Sequence, residues 1–234
     1  VIRKIPLFAA VLSCLAAHAL AGLTLTGVGN GNSLDGIYIS PYTAAVNGVI
    51  NTPVICDDFV DEVTLGESWN TSVGAVGSTS TGLFGTENTQ GYGEVAWLSE
   101  QLLSNLSNPV AQGQISYAIW SVFEPTQVAN WLQGKDGSPY NDTATYNAVF
   151  GGGGWLAQAA TAVPDDAASS KFSNVTVYTP SPSCAPGTCG QAQEFLVVNK
   201  VSTPEASTVA NLAVDFMAFG GLLFVFRRNR FAAR

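Results

Sequence analysis

Cys56 stands in the run Ile55-Cys56-Asp57-Asp58-Phe59, a thiol followed directly by two carboxylates, with Asp61 and Glu62 just beyond. Read alone, it is an unpaired cysteine that behaves as a small buried hydrophobe. The four acids lack the glycine turn and alternating ligand spacing of a calcium loop, and the pattern predicts a solvated acidic face with no metal assigned. Cys184 and Cys189 flank Ala185-Pro186-Gly187-Thr188, a turn able to bring two sulfurs together as a disulfide in an oxidising compartment. Glu94, Glu100 and Glu124 fall on or beside predicted helices. A carboxylate pair is the minimum for glycoside cleavage, but solvated positions are the expectation for these three.

The single histidine, His18, lies in an apolar N-terminal leader. Everything downstream therefore lacks imidazole, which excludes a Ser-His-Asp triad, a Cys-His pair and any His-ligated zinc site. No catalytic residue and no cofactor is assigned, and the expectation is a protein without enzymatic activity. Between residues 22 and 202 only Lys135, Lys171 and Lys200 oppose fifteen carboxylates, so this body carries −12 and no arginine. Such a surface repels phosphate backbones, which argues against a nucleic-acid partner.

The elements that must position these groups read as one α+β domain of short strands with a central helical section. Residues 23–52 are rich in Gly, Asn and Ser, with short β-branched runs at Leu25–Val28 and Ile37–Ile39 that predict strands. Thr24 and Thr26 share a strand face, ordinary for β-structure. Val54 to Leu65 fits both a helix and a strand. Residues 68–91 read as a polar loop. Val95, Leu98, Leu102 and Leu106 predict a helix over Gly93–Leu106, and Asn108 followed by Pro109 predicts an N-cap and a second helix up to Glu124-Pro125. Further helices are expected at Thr126–Leu132, Thr143–Phe150 and Trp155–Val163, with the glycines 151–154 as a break between the last two. Strands at Phe172–Tyr178 and Phe195–Val201 close the body.

Both ends look like addresses. Arg3 and Lys4, the apolar stretch Ile5–Ala16 and the small residues up to Ala21 form a signal-peptide pattern over residues 1–21, with Cys14 as an alternative lipoprotein site. Residues 203–234 contain Pro204-Glu205-Ala206, an apolar run from Val209 to Phe226, and Arg227, Arg228 and Arg230. At ~1.5 Å per residue that run just spans ~30 Å of hydrocarbon, although Asp215 costs about 2.5–3.5 kcal/mol near its centre. The arginines act as a membrane stop on the cytoplasmic side. In this order the parts resemble the PEP-CTERM sorting signal of Gram-negative bacteria, with Ala206 where the motif has its second proline. The resemblance implies an exosortase-like processing enzyme as partner and inner-membrane anchoring by helix 209–226 before release to the envelope or outside.

A second resemblance joins two distant segments. Ile55-Cys56-Asp57-Asp58-Phe59 together with Ala118-Ile119-Trp120 is similar to the Cys-Gln thioester domains of bacterial surface adhesins. The resemblance implies a cysteine on an early strand joined to a glutamine four residues before the tryptophan. Here that position is Ser116, which has no acyl carbon, and Gln114 falls on the opposite face of the helix. Cys56, Ser116 and Trp120 are therefore carried over as the architecture of a thioester site without its bond. The expected role is that of an exported cell-surface or matrix protein with a structural or interaction function. A thioester adhesin is one alternative. The other is a module that binds or cleaves extracellular polysaccharide, in which the five tryptophans could stack on sugar rings.

Overall fold

A computed structural model of the chain describes residues 21–28, 32–77, 82–182 and 192–199. The signal-peptide pattern before residue 21, the Cys184 to Cys189 turn, the sorting motif, the 209–226 segment and the arginine stop lie outside the described residues. Among the described residues no helix is long and apolar enough to cross a membrane.

The α+β expectation holds, and its β part closes on itself. β1 (Ala21–Gly27), β4 (Tyr42–Val46), β5 (Val49–Cys56), β6 (Ser68–Ala75), β7 (Val175–Pro180) and β8 (Phe195–Val198) form a closed antiparallel barrel in the order β1-β4-β5-β8-β7-β6. Closure leaves no sheet edge with unpaired backbone groups. β2 (Ser33–Leu34) and β3 (Ile37–Tyr38) make a separate small hairpin. Its turn, Asp35-Gly36, and the β4–β5 turn, Asn47-Gly48, both place two successive residues at positive φ. That is the tight hairpin geometry for which Asp-Gly and Asn-Gly are suited, because its twist matches that of the flanking strands.

Among the described residues six α-helices pack beside the barrel: α1 (Thr89–Ser104), α2 (Pro109–Phe123), α3 (Pro125–Leu132), α4 (Thr143–Phe150), α5 (Trp155–Ala162) and the single turn α6 (Asp166–Ser169). The Asn108 side chain caps α2 by accepting from the Ala111 N–H, with Pro109 at the first helical position. The glycine run 151–154 separates α4 from α5.

Alternation along the strands divides the core in two. Inward residues such as Leu23, Leu25, Val54, Cys56 and Phe195 fill the barrel. Outward residues such as Ile55, Val175, Val177 and Leu196 pack under α1 and α2 against Val95, Leu98, Leu102 and Ile119. A strand buried on both faces reads as a continuous apolar run, which explains Phe195-Leu196-Val197-Val198.

Several expectations change. Residues 68–91 are not one polar loop: they contain β6 and the start of α1. β6 reads as polar because much of its outer face meets water, while its backbone pairs with β1 and β7. The ambiguous Val54–Leu65 run ends as a strand at Cys56 and continues as irregular chain. The expected strand Phe172–Tyr178 starts later, at Val175, after a 3₁₀ turn over Ser170–Phe172. The expected strand Phe195–Val201 is described only as far as Val198, where β8 ends.

Candidate functional site

β5 and β8 meet in a short ladder, Ile55 opposite Leu196 and Cys56 opposite Phe195. Side chains alternate along a strand, so the residue two before Phe195 shares its face. That residue is Gln193, a diagonal neighbour of Cys56 within reach of its side chain. The Cys56 thiol donates to Gln193 Oε1 at 3.3 Å and to the Asp58 carbonyl at 3.1 Å. Gln193 Nε2 donates to the carbonyls of Asp58 and Asp61, which fixes the plane of the amide. Cys56 is 1% exposed and Gln193 7%.

The three residues singled out for the thioester resemblance do come together, but with different roles. Ser116 acts at one remove: its hydroxyl accepts the Ser40 N–H at 3.1 Å, and the Ser40 hydroxyl accepts the Cys56 N–H at 3.1 Å. Trp120 packs on Phe59 and Tyr117, with ring centroids 5.4 and 5.2 Å away. Its indole N–H is buried without a hydrogen-bond partner. It still lies close enough to the Cys56 sulfur to favour the thiolate as a weak hydrogen-bond donor. The glutamine beside the sulfur comes from the lead-in to β8, not from α2. The nearest signal in the sequence was the apolar run Phe195–Val201, two residues beyond it; only the strand pairing places it at Cys56.

The acids also differ from expectation. Asp57, Asp58 and Asp61 are buried and only Glu62 is exposed, so the solvated acidic face does not exist. The chain turns inward after Cys56, and backbone donors replace water: the N–H groups of Val60 and Asp61 donate to Asp58 Oδ1. Glu124 is buried at the end of α2, where its carboxylate accepts the Phe59 N–H at 2.5 Å. Glu94 and Glu100 are half-buried and are held by Gln90 and Asn174.

Burial pushes the Cys56 thiol well above its usual range, and the Asp58 and Asp57 carboxyls push it further. Burial likewise raises Asp58 to about 8, opposed by the Asp61 N–H and reinforced by the Glu124 and Asp61 charges. A neutral Asp58 is thus the dominant form near pH 7, a proton donor at the wall of the site.

A cleft of about 420 Å³ opens onto these groups, with Trp120, Gln193, Asp58, Asp61, Glu62 and Trp131 among its walls. Among the described residues no group of three or more Cys, Asp or Glu side chains is arranged to hold a metal ion.

No family model, curated protein or solved structure matches this chain.

The chemistry open to the site therefore follows from its geometry. A thiol and a primary amide are held in contact and largely buried, and such proximity is worth effective molarities of about 10⁵–10⁸ M when the reacting atoms align. Attack by sulfur on the Gln193 amide carbon forms the S–C bond and breaks C–N. The –NH₂ group leaves with the thiol proton as ammonia. The Trp120 indole N–H beside the sulfur favours the thiolate that makes this attack.

Proposed function

We propose that residues 22–202 are a surface attachment module in which Cys56 and Gln193 close an internal thioester that captures a primary amine on a partner. The observation that carries this reading is the 3.3 Å contact between the Cys56 thiol and Gln193 Oε1. The amine would attack the thioester carbon, form an amide on Gln193 and release the Cys56 thiol. Asp61 and Glu62 at the cleft, with the Trp120 and Trp131 rings, suit a partner that presents its amine as an ammonium group. Delivery to the cell surface by the leader and the PEP-CTERM-like tail fits such a role, since a surface module is where covalent capture of a neighbouring molecule is useful.

Intact mass spectrometry of the purified chain tests the chemistry. The expected protein is lighter by one ammonia, resists alkylation at Cys56 after denaturation, and takes up one methylamine with release of a free thiol. A chain of full mass with an alkylatable Cys56 overturns the reading. For the address, a reporter carrying residues 200–234 is expected in the membrane fraction or processed outside it; a freely soluble, unprocessed reporter refutes that half.

A further inference from the structure

On the opposite face of the same ladder sit two carboxyls that the bond-forming step does not use. Continuing the Cys56–Phe195 register by one residue sets Asp57 against Glu194, and both are fully buried. Glu194 accepts on several sides: from the Leu83 N–H at 2.7 Å, from the Tyr92 hydroxyl at 2.7 Å, and from the Thr179 hydroxyl. These donors belong to the segment before α1, to α1 itself and to β7. Neither carboxyl oxygen of Asp57 receives a donor from another residue, and its partner is the Glu194 carboxyl. Two carboxyls in contact at this depth cannot both be charged. The donors decide which one is: Glu194 is the carboxylate, and Asp57 is the acid whose O–H points at it.

We propose that this shared proton is a clasp, and that Asp57 and Glu194 are positioning residues that hold the ends of β5 and β8 where Cys56 meets Gln193. The backbone ladder stops at Cys56 and Phe195, and beyond that pair side chains join the two segments: Gln193 bonds the Asp58 and Asp61 carbonyls on one face, and the clasp acts on the other. Asp57 follows Cys56 directly and Glu194 follows Gln193 directly, so a slip at the clasp displaces both reacting groups. The titratable groups facing Asp57 are Glu194, Tyr92 of α1, and Asp58 and Cys56 of its own segment. The other contacts on Glu194 are the neutral donors Thr179 and the Leu83 N–H. Removing the shared proton sets two like charges face to face, and the clasp then pushes the strand ends apart.

The consequence for bond formation rests on the thioester reading, whereas the geometry of the clasp does not. Asp57→Asn keeps the shape and a donor but has no proton to lose; Asp57→Ala removes the donor. On refolding of the full chain at neutral pH, Asp57→Asn is expected to lose ammonia nearly as the wild type does, and Asp57→Ala about tenfold more slowly. As pH rises, bond formation is expected to fall in the wild type and to persist in Asp57→Asn. Equal rates for Asp57→Ala and wild type, or the same alkaline fall in wild type and Asp57→Asn, overturn the clasp.

A second arm uses Gln193→Ala, which cannot form the bond. In that background Asp57→Ala is expected to speed alkylation of native Cys56 about tenfold, with Asp57→Asn leaving it unchanged. A wild type of full mass together with this alkylation pattern refutes the thioester and leaves the clasp standing. Unchanged alkylation in all variants refutes the clasp alone. Should Asp57→Ala not fold, native Cys56 alkylation in the Gln193→Ala background is compared with and without Asp57→Asn as pH rises: a faster alkaline rise without Asp57→Asn supports the clasp, and equal rates overturn it.

Discussion

The two faces of the β5–β8 junction are one residue apart in sequence and opposite in character. Inside the barrel, the Cys56 thiol donates to the Gln193 amide oxygen and to the Asp58 carbonyl, with the indole N–H of Trp120 buried near the sulfur. On the outer face, Glu194 gathers Leu83, Tyr92, Thr179 and Asp57 around one carboxylate. The first arrangement leaves donors and a nucleophile available, as a reacting site requires. The second satisfies the carboxylate from several elements at once, as a rigid anchor requires. Strand alternation lets one short ladder supply both, because neighbouring residues point to opposite faces.

The comparison breaks most sharply at Gln193. Gln193→Ala is expected to abolish ammonia loss and methylamine uptake altogether, as read by intact mass, because Gln193 supplies the primary amide from which ammonia leaves. On the other face, Glu194→Ala strands four donors in the interior and is expected to cost about 3–5 kcal/mol in urea unfolding. If that loss is no larger than for a surface acid such as Glu62→Ala, the outer face is not the anchor.

The carboxyls also make stability depend on pH in an unusual direction. Asp58 titrates near 8 in the folded chain against about 3.9 when unfolded. A raised carboxyl contributes its stability in full below the unfolded value and loses it as pH rises toward the folded one. Asp57 and Glu194 are raised as well, so they act in the same sense. The melting temperature is therefore expected to fall between about pH 4 and pH 8, at roughly 1.4 kcal/mol per pH unit for each group in its window. A melting temperature that rises over this range contradicts the protonation pattern.

Smaller effects sharpen the inner face. Trp120→Phe keeps an aromatic ring against Phe59 but removes the indole N–H, and is expected to slow thioester closure about 10- to 100-fold on refolding. Ser116→Ala orphans the Ser40 N–H and is expected to cost about 1–2 kcal/mol, with closure still going to completion. Loss of closure in Ser116→Ala would make the serine more than a support for the strand.

Much of the frame was legible in the chain because its signals are local. Asn108-Pro109 announced α2, apolar spacing announced the helices, and the glycine run marked the break after α4. β6 is hard to read in the sequence because Ser68, Asn70, Thr71 and Ser72 give it a loop-like composition, and its pairing with β1 and β7 is nonlocal. The buried acids were misread for a related reason: Asp57, Asp58 and Asp61 look solvated until the backbone donors and carboxyl partners around them are assembled. Cys56 and Trp120 are legible from their neighbours, whereas the resemblance sets a glutamine four residues before Trp120, on α2, and the glutamine beside the sulfur enters with β8.

The sequence by itself determined that no histidine chemistry operates between residues 22 and 202, that this stretch is strongly acidic, and that Cys56 and Trp120 merit attention. Those conclusions need only residue types, charges and short spacings. Only the tertiary structure decided that Gln193 stands at Cys56 and Glu194 at Asp57. The partners are separated by 137 residues along the chain. Antiparallel pairing and barrel closure join them, and register is set by how both faces of β5 and β8 are buried rather than by any pattern within either strand.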